Sequence, residues 1–241
     1  MIKGIFFDVG GTLYTYKNVK ATTMETLQAL KERLKLEHEF EEVARIYGEA
    51  NKEIDVLMAD KPFYLFRDYF VDIHNAFLRR VGREHARDVQ AWFTPYQSDK
   101  IMACMEIKPD CHDALSKIKD MGLYLSAVSN ADDDMLEYLI KNERLDRWLT
   151  HWTASEAARS CKPDTGFYHV ALKKAGLTPD QVLFVGDSME QDVLGAQRVG
   201  IKTVLIHDVG WDAMATGRDV RPPDYKISSL SELPAIVEKL I

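Results

Sequence analysis

Cysteine is scarce in this chain. Three are present among 241 residues, Cys104, Cys111 and Cys161, an odd number without a Cys-x-x-Cys pair. That argues against a disulfide framework and offers no zinc-ligand spacing, so all three are expected as reduced thiols. Basic charge is also in the minority, with 31 Lys and Arg against 38 Asp and Glu, a net charge of −7 and a pI near 5.5. An excess of that sign disfavours a nucleic-acid backbone or an anionic membrane as the main partner, while leaving room for a basic pocket inside an acidic protein. No uninterrupted apolar stretch approaches the roughly 20 residues that span a bilayer. The first residues run into a strand pattern without a signal-peptide signature, so the protein is expected in the cytoplasm. No Gly-x-Gly-x-x-Gly opens a helix after a strand, which argues against a dinucleotide site.

What is present is ordinary globular material, 46% hydrophobic and 29% charged, long enough to bury a full core. The chain is organised around Ile5-Phe6-Phe7-Asp8-Val9-Gly10-Gly11-Thr12-Leu13, where an apolar run stops on a carboxylate and a glycine turn follows. From there to about residue 103 the apolar residues recur every three or four positions, as helices do. Met24, Leu27, Leu30 and Leu34 form one stripe; Val43, Ile46, Tyr47, Ala50, Ile54 and Leu57 form a second. Phe66, Tyr69, Phe70, Ile73, Phe77 and Val81 form a third, with Pro62 at its expected first turn, and Val89, Trp92, Phe93 and Tyr96 a fourth.

Beyond residue 104 strands and helices alternate. Helices are expected over 110–121, 133–141, 165–175 and 190–199, and strands over 123–128, 149–153, 182–185 and 203–206. Gly122, Gly176 and Gly200 stand where helix C-terminal glycines belong. The tail carries a Pro222-Pro223 turn, a strand at 225–227 and a last helix opened by Ser231. Strands spaced by single helices indicate βαβ units and a mostly parallel sheet. The expected architecture is therefore a Rossmann-like α/β core, residues 1–15 and 103–241, with an inserted helical domain over 16–102.

Four features fall at strand ends or helix starts: Asp8; Ser129 with Asn130; Lys162 before Pro163; and Gly186-Asp187-Ser188 with Asp192 behind it. In a doubly wound sheet such loops converge on one crevice. They would bring together a nucleophile-grade carboxylate, a hydroxyl donor, a cation and an acidic cluster, a set suited to a phosphoryl group with a divalent metal.

In these motifs, and in their order along essentially the whole chain, the sequence resembles the haloacid dehalogenase superfamily, with the helical insertion resembling its cap. The resemblance implies that Asp8 attacks phosphorus to form an aspartyl-phosphate. It also implies Mg2+ held by Asp8, the Gly10 backbone carbonyl and Asp187, with Asp192 in support, and a phosphate site of Gly11, Thr12, Ser129, Asn130 and Lys162. The substrate would be a small phosphorylated metabolite. One position departs from the pattern. The family's phosphatases carry a second aspartate two residues after the nucleophile, and here that residue is Gly10. Loss of a positioned general acid–base costs roughly 10²- to 10⁴-fold in rate.

Three readings stay open: a phosphatase whose leaving group is helped otherwise or needs no help; a carbon–halogen or carbon–phosphorus hydrolase; and a protein that binds a phosphorylated ligand or a partner with slow turnover. The halide branch is described as metal-free, which fits Asp187 and Asp192 poorly. The phosphonate branch would need an imine-forming lysine, for which Lys31, Lys35, Lys52 and Lys61 are candidates. An aspartate restored at Gly10 would be expected to raise turnover in the first reading. The turn around Asp8 also resembles the phosphate hairpin of actin-like sugar kinases, but neither a following hairpin nor a second glycine-rich phosphate loop is evident. Asp132-Asp133-Asp134 reads as helix capping. Arg67 and His74 read as solvated or packed, His207 as a residue of the crevice rim, and Tyr14 and Tyr16 as a hinge into the insertion.

Overall fold

The structure is a computed structural model that describes residues 1–59, 61–207 and 221–241. The chain divides into two compact units, Met1–Tyr16 with Glu106–Ile241, and Lys17–Met105. The first strand, β1 (Gly4–Phe7), leads to a two-residue strand β2 (Tyr14–Thr15). Four helices follow, α1 (Val19–Leu34), α2 (Phe40–Met58), α3 (Phe66–Arg80) and α4 (Arg87–Cys104), and then β3 (Glu106–Ile107). The alternating part comprises α5 (Cys111–Asp120), β4 (Tyr124–Ser129), α6 (Asp133–Asn142), β5 (His151–Ala154), α7 (Ser155–Ala158), α8 (Thr165–Ala175) and β6 (Val182–Gly186). A π-helical turn, Met189–Leu194, runs into α9 (Gly195–Arg198); β7 (Lys202–Ile206), β8 (Tyr225–Ile227) and α10 (Leu233–Val237) complete it.

In the α/β unit, among the described residues, six strands pair in the order β5-β4-β1-β6-β7-β8, each neighbouring pair parallel. Every residue of β1 and β6 is buried, as strands covered on both faces require, which is why they read as unbroken apolar runs. Phe7 stands opposite Ala127 on one side and Val185 on the other. From β1 the chain builds outward through β4 to β5, then returns to the other side of β1 and builds through β6 to β8. The strand order therefore reverses at β1, and the crevice beyond its carboxyl end is where ligands bind in open α/β sheets. Phe6 and Phe184 pack with Phe167 and Tyr168 of α8, each at most 1% exposed. Burial of an aromatic side chain of this size contributes about 1.5–3 kcal/mol.

The chain leaves and re-enters this unit side by side, because β2 and β3 pair antiparallel with Tyr14 opposite Ile107. Tyr14 is fully buried and its hydroxyl donates to the Leu139 carbonyl at 2.7 Å, which anchors it to α6. A two-residue strand gives no sequence periodicity, so this pair was not expected.

The helical unit has its own core, built from Leu27, Leu30 and Leu34, Val43, Ile46 and Tyr47, Ile73 and Phe77, and Val89 and Phe93. Two details differ from expectation. Leu57 is exposed and Met58 takes the buried place, because the 3.6-residue period from Ile54 lands one position later. Helix α3 begins at Phe66, so Pro62 lies in the preceding loop and not in a first turn. His74 is packed: its Nδ1 lies 2.7 Å from the Thr94 hydroxyl and its Nε2 2.9 Å from Gln97 Oε1. Gln97 also accepts from the Tyr47 hydroxyl at 2.8 Å and donates to Thr26 at 3.0 Å. Burial holds the imidazole pKa down at about 4, so it is neutral at physiological pH. Arg67 is exposed.

Helix starts in the α/β unit also differ in detail. The N-cap residue of α6, Asp132, makes no side-chain cap bond; instead Glu156 accepts from the Asp133 amide at 3.0 Å. The last helical segment is opened by Ser229, which forms a capping box with Glu232, rather than by Ser231. All three cysteines are free thiols, Cys111 and Cys161 buried. His207 follows β7 and is exposed.

Candidate active site

Asp8 follows β1 directly and its amide still pairs with Val185, so the sheet itself fixes the carboxylate. Lys162 reaches it from the loop before α8, with Nζ 2.6 Å from Asp8 Oδ1 and 2.6 Å from Asp192 Oδ1. The lysine side chain is only 1% exposed. Asn130, next to Ser129 at the end of β4, fixes the lysine's backbone: it accepts from the Lys162 amide at 2.7 Å and donates to the Lys162 carbonyl at 3.0 Å. Ser129 Oγ lies 3.5 Å from Asp8 Oδ1, and Thr12 Oγ1 donates to Asp8 Oδ2 at 3.3 Å.

Asp192 sits in the π-helical turn after β6 and accepts from the Ser188 amide at 3.0 Å. Its carboxylate presses on Gly186, where an added Cβ would lie 2.3 Å from it. The Tyr168 hydroxyl donates to the Gln191 carbonyl and holds the same turn from below. Gly11 adopts φ +76°, and a Cβ there would lie 2.1 Å from Asp187 Oδ2. Only glycine satisfies both the left-handed backbone and that close approach. One carboxylate oxygen from each of Asp8, Asp187 and Asp192 falls within a mutual 4.8 Å.

The electrostatics follow from this crowding. Burial first, then the Asp192 carboxylate, pushes the Asp8 pKa up to about 6, against the opposing pull of Lys162. Burial, then Asp8 and Asp192, pushes Asp187 up to about 8. Burial works against the charged Lys162, but Asp192 and Asp8 outweigh it and hold its pKa above the ordinary value. With all three carboxylates ionised, the one ammonium would leave two negative charges uncompensated, and a bound cation favours that state. Hard carboxylate oxygens with that excess fit a divalent cation of the magnesium type. Asp132, Asp133 and Asp134 are not part of such a group among the described residues.

The match to known proteins agrees with this geometry. Residues 2–200 match the family model described as haloacid dehalogenase-like hydrolase. The chain belongs to that family. Among family relatives with curated functions, it is similar to glyceraldehyde 3-phosphate phosphatase of Methanopyrus kandleri, 26% identical over 100% of this chain and 99% of that protein. It is also similar to (S)-2-haloacid dehalogenase 4A of Burkholderia cepacia, 30% identical over 58% of this chain and 61% of that one. Among solved structures, the HAD-hydrolase YfnB of Bacillus subtilis, bound to magnesium, superposes with a TM-score of 0.75 at 18% identity, covering 98% of this chain and 99% of that one. The L-2-haloacid dehalogenase RSc1362 superposes with a TM-score of 0.73 at 22% identity, covering 98% and 99%. At such identity these two show the shared fold of the family.

Asp8, Ser129, Lys162, Asp187 and Asp192 thus meet at the reversal of the strand order, with Thr12 and Asn130 bonded into the same cluster. Sequence reasoning missed Tyr168 as a support of the Asp192 turn. Its position in α8, one residue after Phe167, reads as one more apolar core residue. It also gave Tyr16 only a hinge role, whereas the Tyr16 ring lies against the Gly10-Gly11 turn.

Proposed function

We propose that this hydrolase is a divalent-cation-dependent phosphatase of a small phosphorylated metabolite, with Asp8 as nucleophile. The observation that carries the reading is the single cluster of Asp8, Lys162 and the Asp187–Asp192 pair, buried at the sheet's reversal point. Lys162 and Ser129 both address Asp8 Oδ1 and Thr12 addresses Oδ2, which holds the carboxylate in one orientation. In-line attack by that carboxylate on phosphorus forms an aspartyl-phosphate, and Lys162 and Ser129 donate to the phosphoryl oxygens as charge builds on them. Water then attacks phosphorus and returns the free carboxylate.

Mg2+ would be held by Asp8, the Gly10 carbonyl and Asp187, with Asp192 in support; when bound it neutralises phosphoryl charge. Cation dependence separates this reading from carbon–halogen cleavage, which has no use for a cluster of three carboxylates around one lysine. The imine reading lacks support, since Lys35, Lys52 and Lys61 are exposed and Lys31 half-buried, without the desolvation that makes a lysine nucleophilic. The α/β core, residues 1–15 and 103–241, carries the chemistry. The helical domain, 16–102, acts as the cap that excludes water and selects the substrate.

The test is hydrolysis of p-nitrophenyl phosphate and a panel of phosphorylated metabolites, with magnesium and with chelator. Turnover that needs magnesium and disappears in Asp8→Asn supports the reading. Turnover that survives chelation, or that Asp8→Asn retains, refutes it.

A further inference from the structure

The position where the family's phosphatases carry their second aspartate is not empty space. A Cβ built on Gly10 would lie 2.1 Å from the Tyr16 hydroxyl oxygen, 2.8 Å from Cζ and 3.2 Å from Cε1 of the same ring. The opposite edge of the ring, Cε2, comes within 3.0 Å of a Cβ built on Gly11. The phenol therefore lies along both glycines and sets its oxygen in the volume that a side chain at residue 10 would fill. Tyr16 is held there by its place in the chain, directly after β2, which is pinned by pairing with β3 and by the buried Tyr14. Glycine at 10 and tyrosine at 16 are thus one arrangement, since any side chain at 10 would displace the hydroxyl.

The geometry points to Tyr16 as the group that serves the leaving oxygen in this enzyme, in place of the absent aspartate. The inference rests on the phosphatase reading above. In the first step a bond forms between Asp8 and phosphorus while the bond from phosphorus to the ester oxygen breaks. The Tyr16 O–H donates a hydrogen bond to that departing oxygen, whose negative charge is then quenched by a proton from solvent water. In the second step water adds to phosphorus and the bond to Asp8 breaks, with the water proton passing to solvent. The same hydroxyl oxygen accepts a hydrogen bond from the attacking water and orients it. Tyr16 keeps its own proton throughout. A hydroxyl that shares charge in this way matters most for alkyl phosphates, whose leaving oxygen is strongly basic, and least for aryl phosphates.

The experiment compares glycerol phosphate with p-nitrophenyl phosphate as substrates of the native enzyme, Tyr16→Phe, and Gly10→Asp combined with Tyr16→Ala, which also removes the ring atoms against residue 10, all with magnesium. Tyr16→Phe keeps the ring and removes only the oxygen. It is expected to lower kcat/KM, which reports the first step, for the alkyl ester by about 10- to 100-fold and for the aryl ester by much less, so that the ratio of the two changes at least about tenfold, whatever happens to the water-attack step the two esters share. The double variant, with a carboxylate in the vacated volume, is expected to recover alkyl turnover. Equal losses on both esters, or none, would overturn the assignment and leave Tyr16 as packing for the glycine turn. A native enzyme that hydrolyses neither ester nor any other phosphorylated metabolite of the panel would overturn the phosphatase reading itself, and this inference with it.

Discussion

In chelator the folded protein is expected to lose stability as pH rises from 6.5 to 8, the reverse of what paired carboxylates usually do. The cause is Asp187, pushed up to about 8 by burial and by Asp8 and Asp192 from an ordinary value of 3.8. In the unfolded chain this group is ionised across the whole window, whereas in the folded, cation-free protein it keeps its proton until the pH nears 8. The folded state then binds more protons than the unfolded one, so stability falls with rising pH. Asp8, at about 6, completes most of its titration below the window, and the unfolded His74 imidazole, at 6.5, is half titrated where the window opens and offsets the loss by only about 0.4 kcal/mol. One proton at 1.36 kcal/mol per pH unit over 1.5 units, less the half-ionisation of Asp187 at the upper end, gives a loss of about 1.5 kcal/mol.

The assay is urea unfolding followed by circular dichroism at several pH values in chelator, repeated with magnesium. Magnesium favours the ionised carboxylates, so it should flatten the slope, and at 100 times its Kd it should add about 2.7 kcal/mol. Asp187→Asn should remove the slope in chelator. A flat profile for the native protein in chelator, or a slope that survives both magnesium and Asp187→Asn, would refute the electrostatic reasoning.

Lys162→Met keeps much of the side-chain volume but leaves Asp8 and Asp192 buried without their shared cation. A loss of about 3–5 kcal/mol in unfolding free energy is expected in chelator, together with a kcat at least about 100-fold lower. Gly11→Ala forces a Cβ onto Asp187 and onto a backbone at φ +76°; beyond a strain of about 1–2 kcal/mol, calorimetric titration should show weaker magnesium binding. His74 contributes with the opposite sign to Asp187. Its folded pKa of about 4 lies below the unfolded 6.5, so stability is lost as pH falls between those values, by about 3 kcal/mol. Unfolding of His74→Gln at pH 6.5 and at pH 4 should show a smaller loss than the native protein.

Much of the fold was legible because a covered parallel strand must be apolar throughout. Ile5-Phe6-Phe7 and Val182 to Val185 announce themselves by composition alone, and the residue that ends each such run lies at the crevice. For the same reason the meeting of Asp8 and Ser129 could be anticipated without any distance, whereas Lys162 was placed by its position before Pro163 at a helix start. Features set by one or two residues of local geometry were not legible. Strand β2 is too short to have a period, Met58 displaced Leu57 through helical phase, and Ser229 took the cap expected of Ser231 because its spacing to Glu232 closes the box. The contact of Tyr16 with Gly10 and Gly11 depends on the turn after Asp8 folding back on itself. Nothing in the order Gly-Gly-Thr-Leu-Tyr-Thr-Tyr specifies that.

The role of Asp8 is best tested by trapping the phosphorylated enzyme. Acid quenching during turnover of an aryl phosphate with magnesium, followed by peptide mass spectrometry, should find a phosphate on the peptide containing Asp8. It should be absent with chelator, absent in Asp8→Asn and released by hydroxylamine. Steady turnover with phosphate found on another residue, or with no phosphoenzyme under any quench condition, would contradict Asp8 as the nucleophile.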